Sequence, residues 1–265
     1  MMESLLSTLT GIVAIVAVGS AGYMYKSIDE TGLLAGVAVG SVFVIVGGLP
    51  ATVMLITFFL VGSAFTKYKY SLKEEIGAAE LKGGARNWRN VFANLFFPTI
   101  MLIVFSLYSL PGAKIAFLSS LSGALSDTLG SEIGVLSREH PRMIIGFRRV
   151  PPGTSGAVSF VGTLASLLGS IIIPVEAYIF SLIDRFSLFT VIVLSFLCST
   201  FDSVLGATIQ ARYRCEVCGS ITENPYHCNR RAKLIEGLPF IDNHAVNLIS
   251  TGVVSVVALI FGDII

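Results

Sequence analysis

Two acids stand in this sequence where an apolar chain makes them costly. Asp127 lies in "LSSLSGALSDTLGSEIG", Leu118 to Gly134, and Asp202 in "LSFLCSTFDSVLGATIQ", Leu194 to Gln210. Each closes an apolar run and is followed by Ser or Thr and then by Gly. A carboxylate near a helix C-terminus meets the negative end of the helix dipole, so it needs a cation. A divalent metal is the simplest one, and Mg²⁺ bridges one or two carboxylates to the phosphates of a substrate. Asp127 and Asp202 are therefore the expected metal ligands, with Glu132 as a third. On an unbroken helix Asp127 and Glu132 point about 140° apart, so Glu132 joins them only if the helix breaks near Gly130. The competing assignments are carboxylates that snorkel into the interface, or a salt bridge to Arg138.

The matching phosphate site would lie at helix starts. The Gly-rich turns "KGGARN", Lys82 to Asn87, and "PPGTSG", Pro151 to Gly156, each precede an apolar run. Free N–H groups at a helix N-terminus favour phosphate, and glycine lets the backbone approach it. This places Gly84, Arg86, Asn87, Arg89, Arg148, Arg149, Gly153, Thr154 and Ser155 among the candidate binding residues. A third cluster, "DNHAVN", holds Asp242, Asn243 and Asn247, the last two on one helical face. Asn87 and Asn94 share a face in the same way. A helix cap at Asp242 and an interhelical hydrogen bond from Asn94 are the plain alternatives. No Gly-x4-Gly-Lys-[Ser/Thr] pattern is present, so a soluble-type P-loop is not expected.

A separate group, "CEVCGSITENPYHC", offers Cys215, Cys218, His227 and Cys228 as soft ligands for a structural zinc ion. Adjacent His227 and Cys228 are awkward partners on one ion, and His244 is an alternative fourth ligand. Cys198, inside an apolar run, is expected to pack.

The elements that must carry these residues are membrane spans. Of 265 residues 54% are hydrophobic and 13% charged, and the mean hydropathy is +0.80, far from the roughly 25% charge of soluble domains. Eight candidates fall at about 5–25, 32–47, 50–66, 91–109, 113–130, 156–175, 187–208 and 246–263. The second and third are short and joined only by "GGLP", so a hairpin that does not fully cross is the alternative. The first span has an acidic flank at Glu3 and no cleavage site, and is read as retained. The net charge of +1 hides three basic segments, 67–90, 131–155 and 210–245, all cytoplasmic by the positive-inside rule. "LPG", Leu110 to Gly112, and a connection including "PVEAY", Pro174 to Tyr178, join the spans between them on the far side. Both termini are then outside. The fold class is an all-α, polytopic transmembrane helical bundle forming a single integral membrane domain. The likeness of the Asp127 and Asp202 segments predicts a parallel internal repeat, whose interface would enclose a site.

The pieces "FTKYKYSLKEE", "GGARNWRNVFAN", "SDTLGSEIG", "GTSGAVSFVGTLAS", "DSVLGATIQ" and "IDNHAVNLIST" resemble, in order, an integral membrane family. That family contains transmembrane protein 19 and the plant chloroplast phytyl-phosphate kinase of tocopherol synthesis. The resemblance implies phosphorylation of a prenyl monophosphate, phytyl or geranylgeranyl phosphate, by a nucleoside triphosphate. A more distant similarity to CTP-using dolichol and phytol kinases and to CDP-diacylglycerol synthase favours CTP. Carried over by motif, it implicates Arg86, Asn87, Asn94, Asp127, Glu132, Thr154, Ser155, Asp202, Gln210, Asp242, Asn243 and Asn247. The Cys-rich insertion departs from the plant and animal members. A CTP-dependent cytidylyltransferase and an ion-coupled transporter are the other classes that these features admit. No nucleic-acid partner is expected.

Overall fold

The computed structural model describes residues 2–76 and 81–262. Residues 77–80 of the basic segment 67–90, and the expected end of the last span at 263, lie outside the described residues. Among the described residues six helices are long and apolar enough to cross a membrane, which agrees with the polytopic bundle read from hydropathy. They are α1 (Met2–Met24), α2 (Glu30–Lys67), α5 (Trp88–Tyr108), α7 (Phe160–Ile179), α8 (Arg185–Thr208) and α9 (Asn243–Phe261). Two short helices, α3 (Tyr70–Glu75) and α4 (Leu81–Gly84), precede α5.

The expected spans at 32–47 and 50–66 are the two arms of α2. The element folds back at Gly48, whose backbone (φ +63°, ψ −155°) is not helical, just before Pro50. Positions near opposite ends of α2, Gly32 and Gly62, both meet Arg86. A straight helix at 1.5 Å per residue would hold them roughly 45 Å apart. The two arms therefore run antiparallel, and each, at about 18 residues, meets the lower length limit for a span. Its first arm packs antiparallel to α1, with Gly40 against Ile15 and Gly11 against Val44.

The expected span at 113–130 is α6 (Pro111–Gly134), long enough to cross but less apolar than the rest. Ser109 turns the chain through a left-handed conformation and Pro111 opens the helix. Buried Ser119, Ser120, Ser122 and Ser126 are tolerated because α6 is the central helix, covered by protein. Ser122 donates to the Ser170 carbonyl at 3.1 Å and Ser126 to the Ser166 carbonyl at 2.8 Å. Gly130 and Gly162 let α6 and α7 approach closely, a packing mode driven by small residues rather than by a hydrophobic gradient.

One expectation is corrected. "PVEAY" is not a connection: Pro174 and Glu176 lie inside α7, and the link to α8 is residues 180–184. The Glu176 carboxylate accepts from Thr57 Oγ1 at 2.6 Å, which offsets its burial within the span. The fold is mostly helical, as expected, with a few short strands outside the long helices. β1 (Arg142–Met143) pairs with β2 (Ala157–Val158). Beyond α8 come β3 (Arg212–Arg214), β4 (Ile221–Thr222), β5 (Tyr226–His227), β6 (Arg230–Arg231) and β7 (Lys233–Glu236). They form a sheet of order β4-β3-β7 and a β5-β6 hairpin. Such two- to four-residue pairings leave no alternating pattern long enough to read.

The starts of α5, α7 and α9 and the ends of α6 and α8 gather at one end of the bundle. At the opposite end Gly262 abuts Gly112, and Lys114 Nζ donates to the Leu182 carbonyl at 2.8 Å. The start of α1 and the end of α9 are at that far end. The pairing of α5/α6 with α7/α8 as repeats is a reading of the sequence alone.

Candidate active site

A cavity of about 450 Å³ opens among the gathered helix ends, within the size range of small-molecule sites. Asp127 and Asp202 both line it, one from α6 and one from α8. Each carboxylate is flanked by a hydroxyl of a neighbouring helix. Ser199 donates to Asp127 Oδ1 at 3.3 Å, and Ser250 to Asp202 Oδ2 at 2.8 Å. With its amide nitrogen turned towards the acid, Asn247 donates to Asp202 Oδ2 at 3.2 Å and to the Asn243 carbonyl at 3.1 Å. Neither serine was evident from the sequence: Ser199 stands three residues before Asp202 yet serves Asp127 across the helix pair.

Several other candidates line the same cavity: Arg86, Asn94, Gly153, Thr154, Ser155, Gln210, Asn243 and Asn247. Arg86 reaches it along α2, donating from Nη2 to Thr66 Oγ1 at 3.1 Å. A methyl group at Gly62 would sit 3.2 Å from its Nη1, so glycine there gives the guanidinium its path. The Gly153–Gly156 turn is pressed onto α8. Gly156 has φ +72°, and a Cβ there would fall 2.2 Å from the Ala207 nitrogen, so only glycine fits. Behind this turn Ser159 caps α7, accepting from the Gly162 N–H at 3.1 Å.

Other candidates fall elsewhere. Asn87 caps α5 through a reciprocal pair: its side chain accepts from the Arg89 N–H at 2.8 Å, and its own N–H donates to Asn90 Oδ1 at 3.0 Å. Asn90, not singled out from the sequence, is the neighbour that lines the cavity. Gly84 is buried beside Thr66 and Tyr70, away from the cavity wall. Arg89 pairs with Asp242 at 2.6 Å, and Asp242 caps α9 by accepting from the Ala245 N–H at 2.9 Å. Burial opposes the charge on Asp242, but the Ala245 N–H and Arg89 outweigh it and hold the carboxyl below its usual range. Arg148 and Arg149 are exposed, and Arg148 lies 3.8 Å from Glu236. Of the four arginines expected around phosphate, Arg86 alone lines the cavity among the described residues.

The helix break that Glu132 needs to share a metal with Asp127 is absent. The α6 helix does not break at Gly130 and runs on to Gly134. Glu132 is bound instead by Lys73 at 2.6 Å, a lysine with no exposed surface. The Lys73 ammonium also donates to the Phe65 carbonyl at 2.7 Å and the Thr66 carbonyl at 3.4 Å. Glu132 touches the cavity, but its charge is already balanced, and by Lys73 rather than Arg138. In "FTKYKYSLKEE" this lysine is one of several bases of the segment 67–90, and nothing in its spacing sets it apart.

Beside the cavity an apolar groove runs between α1, the two arms of α2 and α5, lined by Gly19, Leu33, Gly36, Val37, Leu55 and Phe59. Arg86, Asn90 and Asn94 line both spaces. Over the cavity rim lies the Cys-rich segment, whose Glu223 accepts a hydrogen bond from Ser155 Oγ. Within that segment the Cys218 N–H holds the Cys215 thiol below its ordinary range, and Ser220 does the same for Cys218. Its hydrogen bond with Cys218 contributes most to pushing Cys228 up to about 11. His244 is not part of this cluster.

Residues 13–255 match the family of integral membrane proteins described as DUF92, and the chain belongs to it. Protein PGR of Arabidopsis thaliana is 29% identical over 253 residues, covering 86% of both chains. An uncharacterized membrane protein of Methanocaldococcus jannaschii is 30% identical over 178 residues, 67% of this chain and 73% of its own. The chloroplastic protein VTE6 of Arabidopsis thaliana is 26% identical over 243 residues, 89% of this chain and 66% of its own. No solved structure matches the chain.

Proposed function

We propose, from its place in this integral membrane family and from the two adjoining spaces, that the chain is a prenyl-phosphate kinase. It would move the terminal phosphoryl group of a nucleoside triphosphate, CTP favoured by the resemblance, onto phytyl or geranylgeranyl monophosphate. The observation that carries this reading is the shared wall: Arg86, Asn90 and Asn94 belong both to the polar cavity and to the apolar groove. An acceptor whose phosphate sits at Arg86 can lay its first isoprene units against Gly36 and Phe59, with the remainder in lipid.

The chemistry asks little covalent work of the protein. A phosphate monoester oxygen is already a competent nucleophile, so positioning and charge neutralisation dominate. Asp127, Glu132, Asp202 and Glu223 line the cavity against Arg86 as base, with Glu132 neutralised by Lys73. Such a wall repels polyphosphate unless cations accompany it. Its donor set is all oxygen, two carboxylates steadied by hydroxyl and amide groups, which fits Mg²⁺ rather than a softer metal. Asp127 and Asp202 would hold the ion, which when bound offsets the charge of the reacting phosphates. Arg86, Asn90 and Asn94 orient the acceptor phosphate. The turn at Thr154 and the start of α7 offer hydroxyl and N–H groups to the donor. By the positive-inside rule the cavity opens to the cytoplasm, because Lys67, Lys69, Arg142 and Arg148 lie at its end of the bundle.

The test is product analysis on the purified protein with Mg²⁺, each of CTP, ATP, GTP and UTP, and phytyl or geranylgeranyl monophosphate. Prenyl diphosphate with the matching nucleoside diphosphate is expected. A CDP-lipid with pyrophosphate would replace the kinase by a cytidylyltransferase at the same site. No turnover with any nucleotide by folded protein would refute both. Ion-coupled transport is disfavoured by a cavity at one end of the bundle, since alternating access places its site near the midplane.

A further inference from the structure

The segment between β3 and β7 has almost no core of its own. Ala232 alone joins it to a small buried apolar cluster with Ala211 and Tyr213 at its base, too little to fix a loop this long without a staple. Yet its backbone brings three thiols and an imidazole to one point. The Cys215–Cys218 turn is closed by the Gly219 N–H on the Cys215 carbonyl at 2.9 Å, with Gly219 at φ +76°. The Cys215 N–H donates to the Ser220 carbonyl, also at 2.9 Å. On the facing hairpin, Cys228 and Asn229 are both left-handed, at φ +50° and +57°. That local twist lets the adjacent His227 and Cys228 aim at a common centre, which an ordinary extended pair could not do.

The four ligand atoms all lie within 4.8 Å of one another. His227 Nδ1 is 3.5 Å from Cys218 Sγ and 3.3 Å from Cys228 Sγ. Tetrahedral zinc, with bonds of roughly 2.3 Å to sulfur and 2.0–2.1 Å to nitrogen, would place sulfur and nitrogen about 3.6 Å apart. The observed spacing needs only small adjustment. Three sulfurs and one imidazole select a soft or borderline tetrahedral ion over Mg²⁺ or Ca²⁺.

We propose that Cys215, Cys218, His227 and Cys228 hold one structural zinc ion, and that the ion fixes Glu223 over Ser155 at the cavity rim. Glu223 lies in the loop between the two ligand pairs, bonds Ser155 and lines the cavity. The base of the segment is anchored separately, by Arg212 on Glu236 at 2.8 Å and on the Gly206 and Ala207 carbonyls at 3.3 Å. Loss of the ion should therefore loosen the loop without unravelling the bundle. This inference does not depend on the kinase reading.

Metal analysis of the full chain, purified in detergent under reducing conditions, tests the site directly. One zinc per chain is expected, falling at least tenfold in Cys215→Ser. Wild-type protein without stoichiometric zinc, or with iron or a Cys215–Cys218 disulfide instead, would overturn it. Should the variant fail to fold, Co²⁺ exchanged into the wild type must give a tetrahedral thiolate spectrum, and an octahedral one would refute the ligand set. Limited proteolysis tests the consequence: chelation should speed cleavage within 215–231 at least tenfold, reversed by added zinc. Equal cleavage with and without the ion would refute its role in holding Glu223.

Discussion

Substituting Lys73 separates a structural from a metal-binding role for Glu132. The ammonium is fully enclosed, with one carboxylate and two carbonyl acceptors within 3.4 Å. Lys73→Met keeps the packing volume but leaves Glu132 facing the last carbonyls of the second α2 arm, a region already negative by the helix dipole. Breaking a buried pair from one side costs about 3–5 kcal/mol. Because the Glu132 side chain keeps 15% of its surface exposed, water reaches it and the lower end, about 3 kcal/mol, is the better figure. Removing both charges in Lys73→Met/Glu132→Gln should recover most of that loss, since an apolar replacement for a buried pair is often near neutral. A double-mutant cycle on unfolding in detergent should thus give a coupling of roughly 2 kcal/mol. Turnover measured across a Mg²⁺ titration supplies the second axis, and the apparent Mg²⁺ requirement of Glu132→Gln should be unchanged. A coupling below about 0.5 kcal/mol, together with a raised Mg²⁺ requirement in Glu132→Gln, would refute the argument and return Glu132 to the metal.

Asp127→Asn and Asp202→Asn should each lower turnover by at least a thousandfold while the thermal unfolding temperature holds or rises, because the amide removes a desolvated charge; near-normal rates in either would discard the metal assignment. Gly36→Phe is expected to fold, since nothing lies within 4 Å of a Cβ built there. The ring should fill the groove and raise KM for geranylgeranyl phosphate well above that for a five-carbon prenyl phosphate, and an unchanged chain-length profile would remove the groove from the acceptor site. The Asp242 carboxyl is held below its usual range, so its contribution to stability is present above the unfolded carboxylate pKa and disappears as pH falls through the lowered value. Thermal unfolding from pH 6 down to pH 2 should show this acid loss in the wild type and a shallower one in Asp242→Asn; parallel profiles would mean that the cap and the Arg89 pair contribute nothing.

The chain's hydropathy by itself determined that it is a polytopic membrane bundle, because lipid leaves helices as the economical way to satisfy the backbone. It also located the spans to within a few residues and marked Asp127 and Asp202 as the costly acids. The motif set placed the chain in its family. Tertiary structure decided the rest. Whether two short apolar runs continue as one long helix or fold back on each other turns on Gly48, whose conformation no periodicity encodes. The electrostatic partner of Glu132 is Lys73 rather than the nearer-in-sequence Arg138, because α3 is laid against the end of α6 only in the folded bundle. The arginines at 89, 148 and 149 were drawn to the site by their charge, yet charge near a turn says nothing of direction, and they face outward or pair with acids. Ser199, Ser250, Asn90 and Glu223 were invisible for the converse reason. Small polar residues are common in membrane helices and loops, and only the convergence of helix ends shows which of them share a cavity.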